Sequence, residues 1–360
     1  MQNIIEKLQN KQNLNKIEAG EMQNFIISGK MGTEDIIEIF KLFDAKGICE
    51  DELIGIINAT REAMVSVNID FDCLDNCGTG GDGFNTFNIS TASSFVCAAC
   101  DAMVAKHGNR AATSKCGAAD VLEAIGVNIN LDELQVRKCF EEVGMAFMFA
   151  PLFHPALKFV REARVAYGKR TYFNMIGPMM NPAHARYQLL GVNHLEQVDL
   201  MGNTLINTGS ERVLIVHGME GIDEISVAGD TKVIDFSARD LEGLDSDEIE
   251  NLDSRVLRQE YIINPSQFKL DVFPIEEVQG SMSDDPETAK HENAQIILDI
   301  LNNKGSEAQV NAVLLNAAGA LFTFGRVADF AEGINLAREV IQNGKAIGKL
   351  QELVEVSNKV

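Results

Sequence analysis

The sequence reads Asp75-Asn76-Cys77-Gly78-Thr79-Gly80-Gly81-Asp82-Gly83 directly after a predicted β-strand, with glycine at four of the last six positions. Glycine lets the backbone turn sharply and brings its N–H groups close to an anion. The stretch lacks the Lys-Ser/Thr ending of a Walker A loop, and its third glycine falls one residue too early for the dinucleotide-binding pattern. It therefore predicts either an anion-binding loop of another kind or a plain tight turn.

From Asp70 onward, short apolar runs end in glycine and are followed by helical stretches. Examples are Met103-Val104-Ala105 before His107-Gly108, and Arg212-Val213-Leu214-Ile215-Val216 before His217-Gly218. Strands that alternate with helices in this way are typical of an α/β domain. The pattern predicts an α/β fold with a mainly parallel central sheet.

The first part of the chain shows no strand pattern. Apolar residues such as Ile4 and Leu8 follow helical spacing, and residues 1–68 predict a small all-helical N-terminal domain. We expect a later helical segment around residues 155–180 to join it. Residues 69–360 then form the larger α/β domain, with three or four amphipathic helices in its last 70 residues.

The composition excludes several classes of partner. The chain carries 31 Lys and Arg against 53 Asp and Glu, a formal net charge of −22 over 360 residues. This average field opposes binding to nucleic acid and to anionic membrane surfaces. Seven scattered cysteines form no disulfide pattern, and the sequence indicates neither a signal peptide nor a membrane span. The expected location is the cytoplasm.

Two further motifs follow predicted strands. Asn88-Ile89-Ser90-Thr91-Ala92 opens an apolar helix, with Asn88 or Ser90 as the predicted N-cap, and helix N-termini attract phosphate. The basic loop, Lys106 to Lys115, carries three positive charges and no acid, which is unusual in so acidic a chain. Because the carboxyl ends of parallel strands share one edge, these motifs and the glycine loop are expected to form one anion site.

In their order and spacing, the motifs resemble those of the anthranilate phosphoribosyltransferase family. The matching stretches cover nearly the whole chain: Gly78-Thr79-Gly80-Gly81-Asp82, Asn88-Ile89-Ser90-Thr91, Lys106-His107-Gly108-Asn109-Arg110, Gly117-Ala118-Ala119-Asp120-Val121-Leu122-Glu123, Phe149-Ala150-Pro151, His154-Pro155-Ala156, Arg170-Thr171, Phe173-Asn174, Gly177-Pro178 and Asn181-Pro182. The resemblance implies a nucleoside phosphorylase/phosphoribosyltransferase-like fold in a homodimer. It also implies transfer of the phosphoribosyl group of phosphoribosyl pyrophosphate (PRPP) to the amino group of anthranilate, in tryptophan biosynthesis.

The resemblance further implies which residues bind the two substrates. PRPP would be held by the glycine loop, the helix start, the basic loop and the helix after it: Gly78, Gly81, Asp82, Thr86, Asn88, Ile89, Ser90, Thr91, Lys106, His107, Gly108, Asn109, Arg110, Ala111, Ala112, Thr113, Ser114 and Ala118. Anthranilate would be bound by Gly78, Asn109 and Arg164, with Arg164 facing its carboxylate. Without the family, Arg164 reads as an ordinary surface residue of a helix.

The chemistry of such a reaction agrees with this allocation. PRPP is highly anionic and pyrophosphate must leave as a stable anion, which calls for a divalent metal and preorganised donors. The resemblance assigns two Mg²⁺ ions to Ser90, Asp223 and Glu224, although the two adjacent acids alone would read as surface charge. We expect a dissociative displacement without an assigned general base, since the aromatic amine is uncharged. His107 and His154 are the histidines to test.

Two departures and two alternatives accompany the resemblance. Ala118 stands where many relatives have a serine, and the segment 280–293 is longer than expected. One alternative is a pyrimidine nucleoside phosphorylase-like enzyme, against which the loop Lys106-His107-Gly108-Asn109 and the pair Asp223-Glu224 argue. The other is a noncatalytic nucleic-acid-binding relative, which should show a basic face rather than this acidic composition.

Overall fold

A computed structural model of the chain describes residues 1–111, 115–240 and 255–360. Its centre is one seven-stranded sheet. The strands are β1 (Leu74–Gly78), β2 (Val104–Gly108), β3 (Met145–Phe149), β4 (Tyr187–Gly191), β5 (Arg212–Gly218), β6 (Thr231–Ala238) and β7 (Val256–Ile263). Their order across the sheet is β3-β2-β1-β4-β5-β6-β7.

The sheet is mainly parallel, as the sequence predicted. Strands β3, β2, β1, β4 and β5 run in the same direction, and β6 and β7 are antiparallel additions at one edge. The chain first builds outward from β1 through β2 to β3, and then returns to place β4 on the other side of β1. Ligands of α/β sheets bind at such a switch point, beyond the carboxyl ends of the strands.

The first 62 residues form four helices, as their spacing predicted: α1 (Gln2–Gln9), α2 (Lys16–Ile27), α3 (Thr33–Lys46) and α4 (Glu50–Glu62). Asn15 begins α2 with a capping box, accepting a hydrogen bond from the backbone of Glu18. Helices α2 and α4 pack closely because Gly55 has no side chain. A Cβ on Gly55 would lie 2.2 Å from the carbonyl oxygen of Lys16.

Seven helices follow before β6: α5 (Ile89–Ala99), α6 (Ala118–Ile125), α7 (Glu133–Val143), α8 (Ala150–Phe153), α9 (Lys158–Tyr167), α10 (Tyr172–Ile176) and α11 (Val198–Asn207). Buried side chains of α9 and α10, including Val160 and Phe173, share one apolar cluster with α1 to α4. The helical segment around residues 155–180 therefore packs on the N-terminal helices. The domain boundary near residue 68 stays a prediction.

Four helices close the chain: α12 (Pro286–Leu301), α13 (Glu307–Thr323), α14 (Phe330–Gln342) and α15 (Lys345–Ser357). Helix α13 is buried along most of its length and packs on α5, α14 and the sheet. Five short 3-10 turns complete the described structure: Pro155–Leu157, Gly177–Met179, Leu195–Gln197, Pro265–Phe268 and Ile275–Val278. Across the described ranges, no helix has the length and apolar character needed to cross a membrane. None of the seven cysteines forms a disulfide.

Candidate active site

Four parallel strands end in glycine at one edge of the sheet, at Gly78, Gly108, Gly191 and Gly218. The glycine loop leaves β1, the basic loop leaves β2, and the segment with Asp223 and Glu224 leaves β5. The glycine loop and the basic loop therefore leave the same edge of the sheet, as predicted, and the structure adds the segment of Asp223 and Glu224 to that edge.

The glycine loop uses conformations that favour glycine. Gly80, Gly81 and Gly83 have φ angles of 69°, 76° and 85°, which lie in the left-handed region. The N–H of Gly80 donates a hydrogen bond of 2.6 Å to Oδ2 of Asp223. Asp82 accepts one from the N–H of Phe84 at 3.1 Å, and its side chain lies beside that of Asp223.

Gly78 and Gly191 are required for a different reason, which is close packing. They are paired across β1 and β4, and the backbone of Asp223 lies directly on them. A Cβ on Gly191 would lie 1.7 Å from the carbonyl oxygen of Asp223, and one on Gly78 would lie 2.3 Å from its Oδ2. These glycines bring the carboxylate of Asp223 against the glycine loop.

Asp223, which is buried, and Glu224, which is half-buried, are adjacent acids whose charges repel each other. Burial, with Asp82 nearby, raises the pKa of Asp223 to about 7. Burial and the charge of Asp223 raise the pKa of Glu224 well above its usual range, which Lys106 only partly offsets. Within the described ranges, neither carboxylate forms an ion pair. Such a pair fits a divalent cation, which would lower both pKa values.

Asn316 fixes the backbone that follows these two acids. Its side chain on α13 accepts a hydrogen bond from the N–H of Ile225 and donates one to the carbonyl of the same residue, both at 2.9 Å. In the described residues, no three His, Cys, Asp or Glu side chains cluster as a complete metal site. Any cation held here therefore needs oxygen ligands from a substrate or from water as well. No signal in the sequence marked Asn316 as part of this arrangement.

The start of α5 differs in one detail from the prediction. Asn88 occupies the N-cap position, but neither it nor Ser90 caps the helix with its side chain. The amide of Asn88 instead donates to the carbonyl of Cys116 at 3.1 Å, which ties the helix start to the basic loop. Among the described residues, the buried Oδ1 of Asn88 and Oγ1 of Thr91 have no partner. Of the two, only the Thr91 hydroxyl can donate a hydrogen bond to an anion, since an amide oxygen only accepts.

Lys106 lies beneath the site rather than over it. Its side chain is 1% exposed, and its Nζ donates to the carbonyl of Asn76 at 2.9 Å and to Oγ of Ser90 at 3.4 Å. Burial lowers the pKa of Lys106, while the nearby Asp75 and Glu224 raise it. Lys106 therefore supports Ser90 from below, and its contact with PRPP stays a prediction.

The two other cations of the basic loop are neutralised by acids from elsewhere, which corrects the expected excess of positive charge. Arg110 forms ion pairs of 2.9 Å with Asp120 and Glu123 on α6. Lys115 pairs with Asp284. Asp120, which its motif alone gave no role, also accepts hydrogen bonds from the N–H groups of Ala111 and Gly117.

Other predicted residues of this loop have different surroundings. Asn109 is exposed, and its Oδ1 accepts from the N–H of Arg110 at 2.8 Å. Ala118 is the first residue of α6 and lies beside Gly108. A Cβ added to Gly108 would lie 3.2 Å from the Cβ of Ala118. The predicted residues Ala112, Thr113 and Ser114 lie outside the described residues.

His107 and His154 lie next to each other, with ring centroids 5.1 Å apart. Burial lowers the pKa of His107 to about 3 and that of His154 to about 4. Nε2 of His107 has no hydrogen-bond partner in the described structure. Both imidazoles are therefore neutral at physiological pH, and they are weak bases.

Two arginines, Arg164 and Arg170, have no acidic partner in the described residues. Arg164 on α9 is exposed over the ring of Phe173, 5.7 Å from its centroid. Arg170 lies beside Gly81 and contacts Oδ1 of Asn193 at 3.5 Å. Sequence reasoning recorded Arg170 only as part of a motif and gave it no role.

A cleft of about 430 Å³ opens between α3 and the glycine loop. Its lining includes Phe43 and Ile48 on the helical side, and Thr79, Arg170 and Asn193 on the side of the sheet. The cleft gives a small substrate a route to the edge of the sheet where the motifs meet.

Comparisons with known proteins agree with this geometry. Residues 70–347 match the model of the glycosyl transferase family, a/b domain. The anthranilate phosphoribosyltransferase of Acetivibrio thermocellus is 40% identical over 99% of this chain and 97% of its own length. That of Dehalococcoides mccartyi is 38% identical over 95% of this chain and 94% of its own.

Solved structures show the same fold. The anthranilate phosphoribosyltransferase of Thermus thermophilus superposes with a TM-score of 0.86 at 31% identity, covering 99% of both chains. The Saccharomyces cerevisiae enzyme, solved in complex with PRPP and Mg, has a TM-score of 0.83 at 23% identity, covering 99% of this chain and 98% of its own. With these relatives and the matched glycosyl transferase domain, the chain belongs to the anthranilate phosphoribosyltransferase family and is an enzyme of the pentosyltransferase class.

Proposed function

We propose that this enzyme transfers the phosphoribosyl group of PRPP to the amino group of anthranilate and releases pyrophosphate, with Mg²⁺ as its cofactor. The observation that carries the proposal is the pair of Asp223, which is buried, and Glu224, which is half-buried; the pair lies against the glycine loop and forms no ion pair in the described residues. The relatives named anthranilate phosphoribosyltransferase and the PRPP and Mg complex of the yeast enzyme support it.

The chain's own residues provide an anion site around the leaving group. The left-handed glycines after Gly80, whose own N–H is bonded to Asp223, would present backbone N–H groups to phosphate oxygens. Asp223, Glu224 and Ser90 would hold two Mg²⁺ ions, which supply positive charge for the departing pyrophosphate. Asn316 and Lys106 keep the backbone and the hydroxyl of this set in place.

The bond between C1 of the ribose and the pyrophosphate oxygen breaks, and its electron pair leaves with pyrophosphate. The amine nitrogen of anthranilate bonds to C1, and the proton that this nitrogen then loses passes to water. We assign no general base, because the low pKa values of His107 and His154 make them weak proton acceptors. Their neutral rings are suited to lining the pocket of an uncharged amine. Arg164, free of acidic partners in the described residues, would face the carboxylate of anthranilate.

We also propose a homodimer in the cytoplasm. Large apolar side chains are exposed on α2 and α9, including Ile17 and Val165 at 73% and 75%. Seven cysteines without a disulfide suit a reducing compartment. Sedimentation velocity checks the dimer: one boundary at the mass of a monomer at micromolar concentration would contradict it.

The proposed reaction is tested with purified protein, PRPP, anthranilate and Mg²⁺. We expect the fluorescence of anthranilate to fall, with one pyrophosphate released for each anthranilate consumed. Parallel samples with phosphate and thymidine or uridine should show no phosphorolysis, and DNA should not be retained at moderate salt. If the folded protein releases free base from thymidine or uridine but leaves anthranilate untouched, the proposal is wrong.

A further inference from the structure

The residues just after the glycine loop, Asn85 to Phe87, are paired with a segment that lies nearly 200 residues later in the sequence. The proposed reaction gives this pairing no role. The N–H of Gly280 donates to the carbonyl of Asn85 at 2.8 Å, and the N–H of Phe87 donates to that of Val278 at 3.1 Å. Thr86 and Gln279 form an antiparallel bridge between these two bonds. We call residues 278–285, which continue this contact, the strap.

Asn85 adds a side-chain anchor to this pairing. Its backbone is left-handed, with φ of 53°, a conformation that asparagine tolerates better than most residues. Its Nδ2 donates to the carbonyl of Ser281 at 2.9 Å and contacts the sulfur of Met282 at 3.5 Å. Asn85 thus fixes the point where the glycine loop turns toward Thr86 and α5.

The strap itself is held by α12. Ser281 donates to the carboxylate of Glu292, and Asp285 begins the helix by accepting from the N–H of Thr288 at 2.9 Å. Gly280 has no room for a side chain, because a Cβ there would lie 2.3 Å from Oδ1 of Asn293 and 3.1 Å from Cα of Phe87. The glycine loop is therefore braced through the strap against a long helix.

The strap also reaches the basic loop. The carboxylate of Asp284, 96% exposed, pairs with the ammonium group of Lys115. An exposed pair of this kind contributes little to stability. Its position nevertheless means that one segment contacts both of the loops that leave β1 and β2.

We infer that the strap holds the glycine loop in its phosphate-binding shape, and that Asn85 is a positioning residue for PRPP. The inference rests on the proposed function, because it assigns PRPP to this loop. It accounts for the longer segment at 280–293, which otherwise has no role. Asn85 acts through the backbone of the loop and touches no reacting atom.

The test compares Asn85→Gly with Asn303→Gly. Both residues have a left-handed backbone, with φ of 53° and 57°, so glycine preserves the backbone at each site. Only Asn85→Gly removes a contact between the loop and the strap. We expect the KM for PRPP to rise about 3- to 10-fold in Asn85→Gly, the effect of one or two lost hydrogen bonds. The kcat, the KM for anthranilate and all constants of Asn303→Gly should stay within about twofold of the wild type.

Hydrogen exchange without substrate provides a readout that does not depend on turnover. Amides of residues 79–87 should exchange about 3- to 10-fold faster in Asn85→Gly than in Asn303→Gly. Gly280→Ala, which pushes the strap away from Phe87, should change the same amides in the same direction. Unchanged exchange and an unchanged KM for PRPP in Asn85→Gly would overturn the inference. If the wild type fails to consume PRPP, the proposed function fails, and the exchange comparison still decides the role of the strap.

Discussion

Two regions of this molecule bury a carboxylate, and they treat its charge in opposite ways. In the helical region, Glu52 is 0% exposed and accepts hydrogen bonds from the N–H groups of Leu14 and Cys49, both at 2.9 Å. Nζ of Lys46 completes its surroundings at 2.8 Å. At the sheet edge, Asp223 is 8% exposed and has one backbone donor, Gly80, with a second acid next to it in the chain and no ion pair in the described residues.

The difference separates a structural charge from a functional one. A buried ion that is fully paired and hydrogen-bonded leaves no free capacity, so Glu52 holds the linker before α2 against α4. A buried acid without counter-charge has a raised pKa and is stabilised when a cation arrives. Asp223 and Glu224 are therefore available to bind a cation that arrives with a ligand.

The largest effect is expected from breaking the buried ion pair between Glu52 and Lys46. Glu52→Gln leaves Lys46 buried with a charge and no acid, which should lower the free energy of unfolding by about 3 kcal/mol. Urea unfolding measures this. The adjacent Asp51→Asn, in an exposed pair 3.6 Å from Lys16, serves as the matched control and should change stability by less than about 0.5 kcal/mol. Equal free energies of unfolding for Glu52→Gln and Asp51→Asn would contradict a structural role for the charge of Glu52.

The next largest effect is expected at Asp223, which has no ion pair in the described residues. Asp223→Asn keeps the shape but removes a proposed metal ligand, so kcat/KM for PRPP should fall by about 100-fold. The metal-free variant should be as stable as the wild type or more stable, because a buried charge is lost. Steady-state kinetics and urea unfolding give both values, with the exposed Asp271→Asn as control. A large loss of stability in Asp223→Asn would make this acid structural, like Glu52.

Arg164 tests whether a cation without an acidic partner is likewise reserved for a ligand. Arg164→Ala should raise the KM for anthranilate by about 10- to 30-fold, since a charge-assisted contact to the carboxylate is lost. The KM for PRPP should change by less than about threefold. Arg161, which is also exposed on this helix, provides the control variant Arg161→Ala. Equal effects of Arg164→Ala on the two KM values would contradict the assignment.

The smallest effect is a pH dependence. The folded pKa of Asp223, raised to about 7, lies above the ordinary carboxyl value, so its contribution to stability is present at low pH and is lost as pH rises through about 7. Mg²⁺ needs the deprotonated form, so its apparent affinity should fall by up to about tenfold per unit below that pH. Thermal melting with and without Mg²⁺ at about pH 6 and pH 8 measures the change. If Asp223→Asn shows the same pH dependence of the Mg²⁺ effect on melting as the wild type, deprotonation of Asp223 is not its cause.

The sequence predicted the fold class and the edge where the motifs meet, because both follow from the local order of strands, glycines and helices. It did not predict pairings between residues distant in sequence. Arg110 and Lys115 appeared to be free cations until α6 and the strap supplied Asp120 and Asp284. The role of Gly191 was hidden for the same reason, since only the fold brings Asp223 onto it. Nothing in the sequence marks Glu52 as buried, because only the fold brings the backbone of Leu14 to it.

Calorimetric binding of PRPP tests the central claim most directly, which is that Asp223 and Glu224 hold charge in reserve for a metal that arrives with the substrate. The wild type should bind PRPP at least about tenfold more tightly with Mg²⁺ than with EDTA, and Asp223→Asn should lose most of this difference. Equal affinities with Mg²⁺ and with EDTA, or an undiminished Mg²⁺ effect in Asp223→Asn, would contradict it.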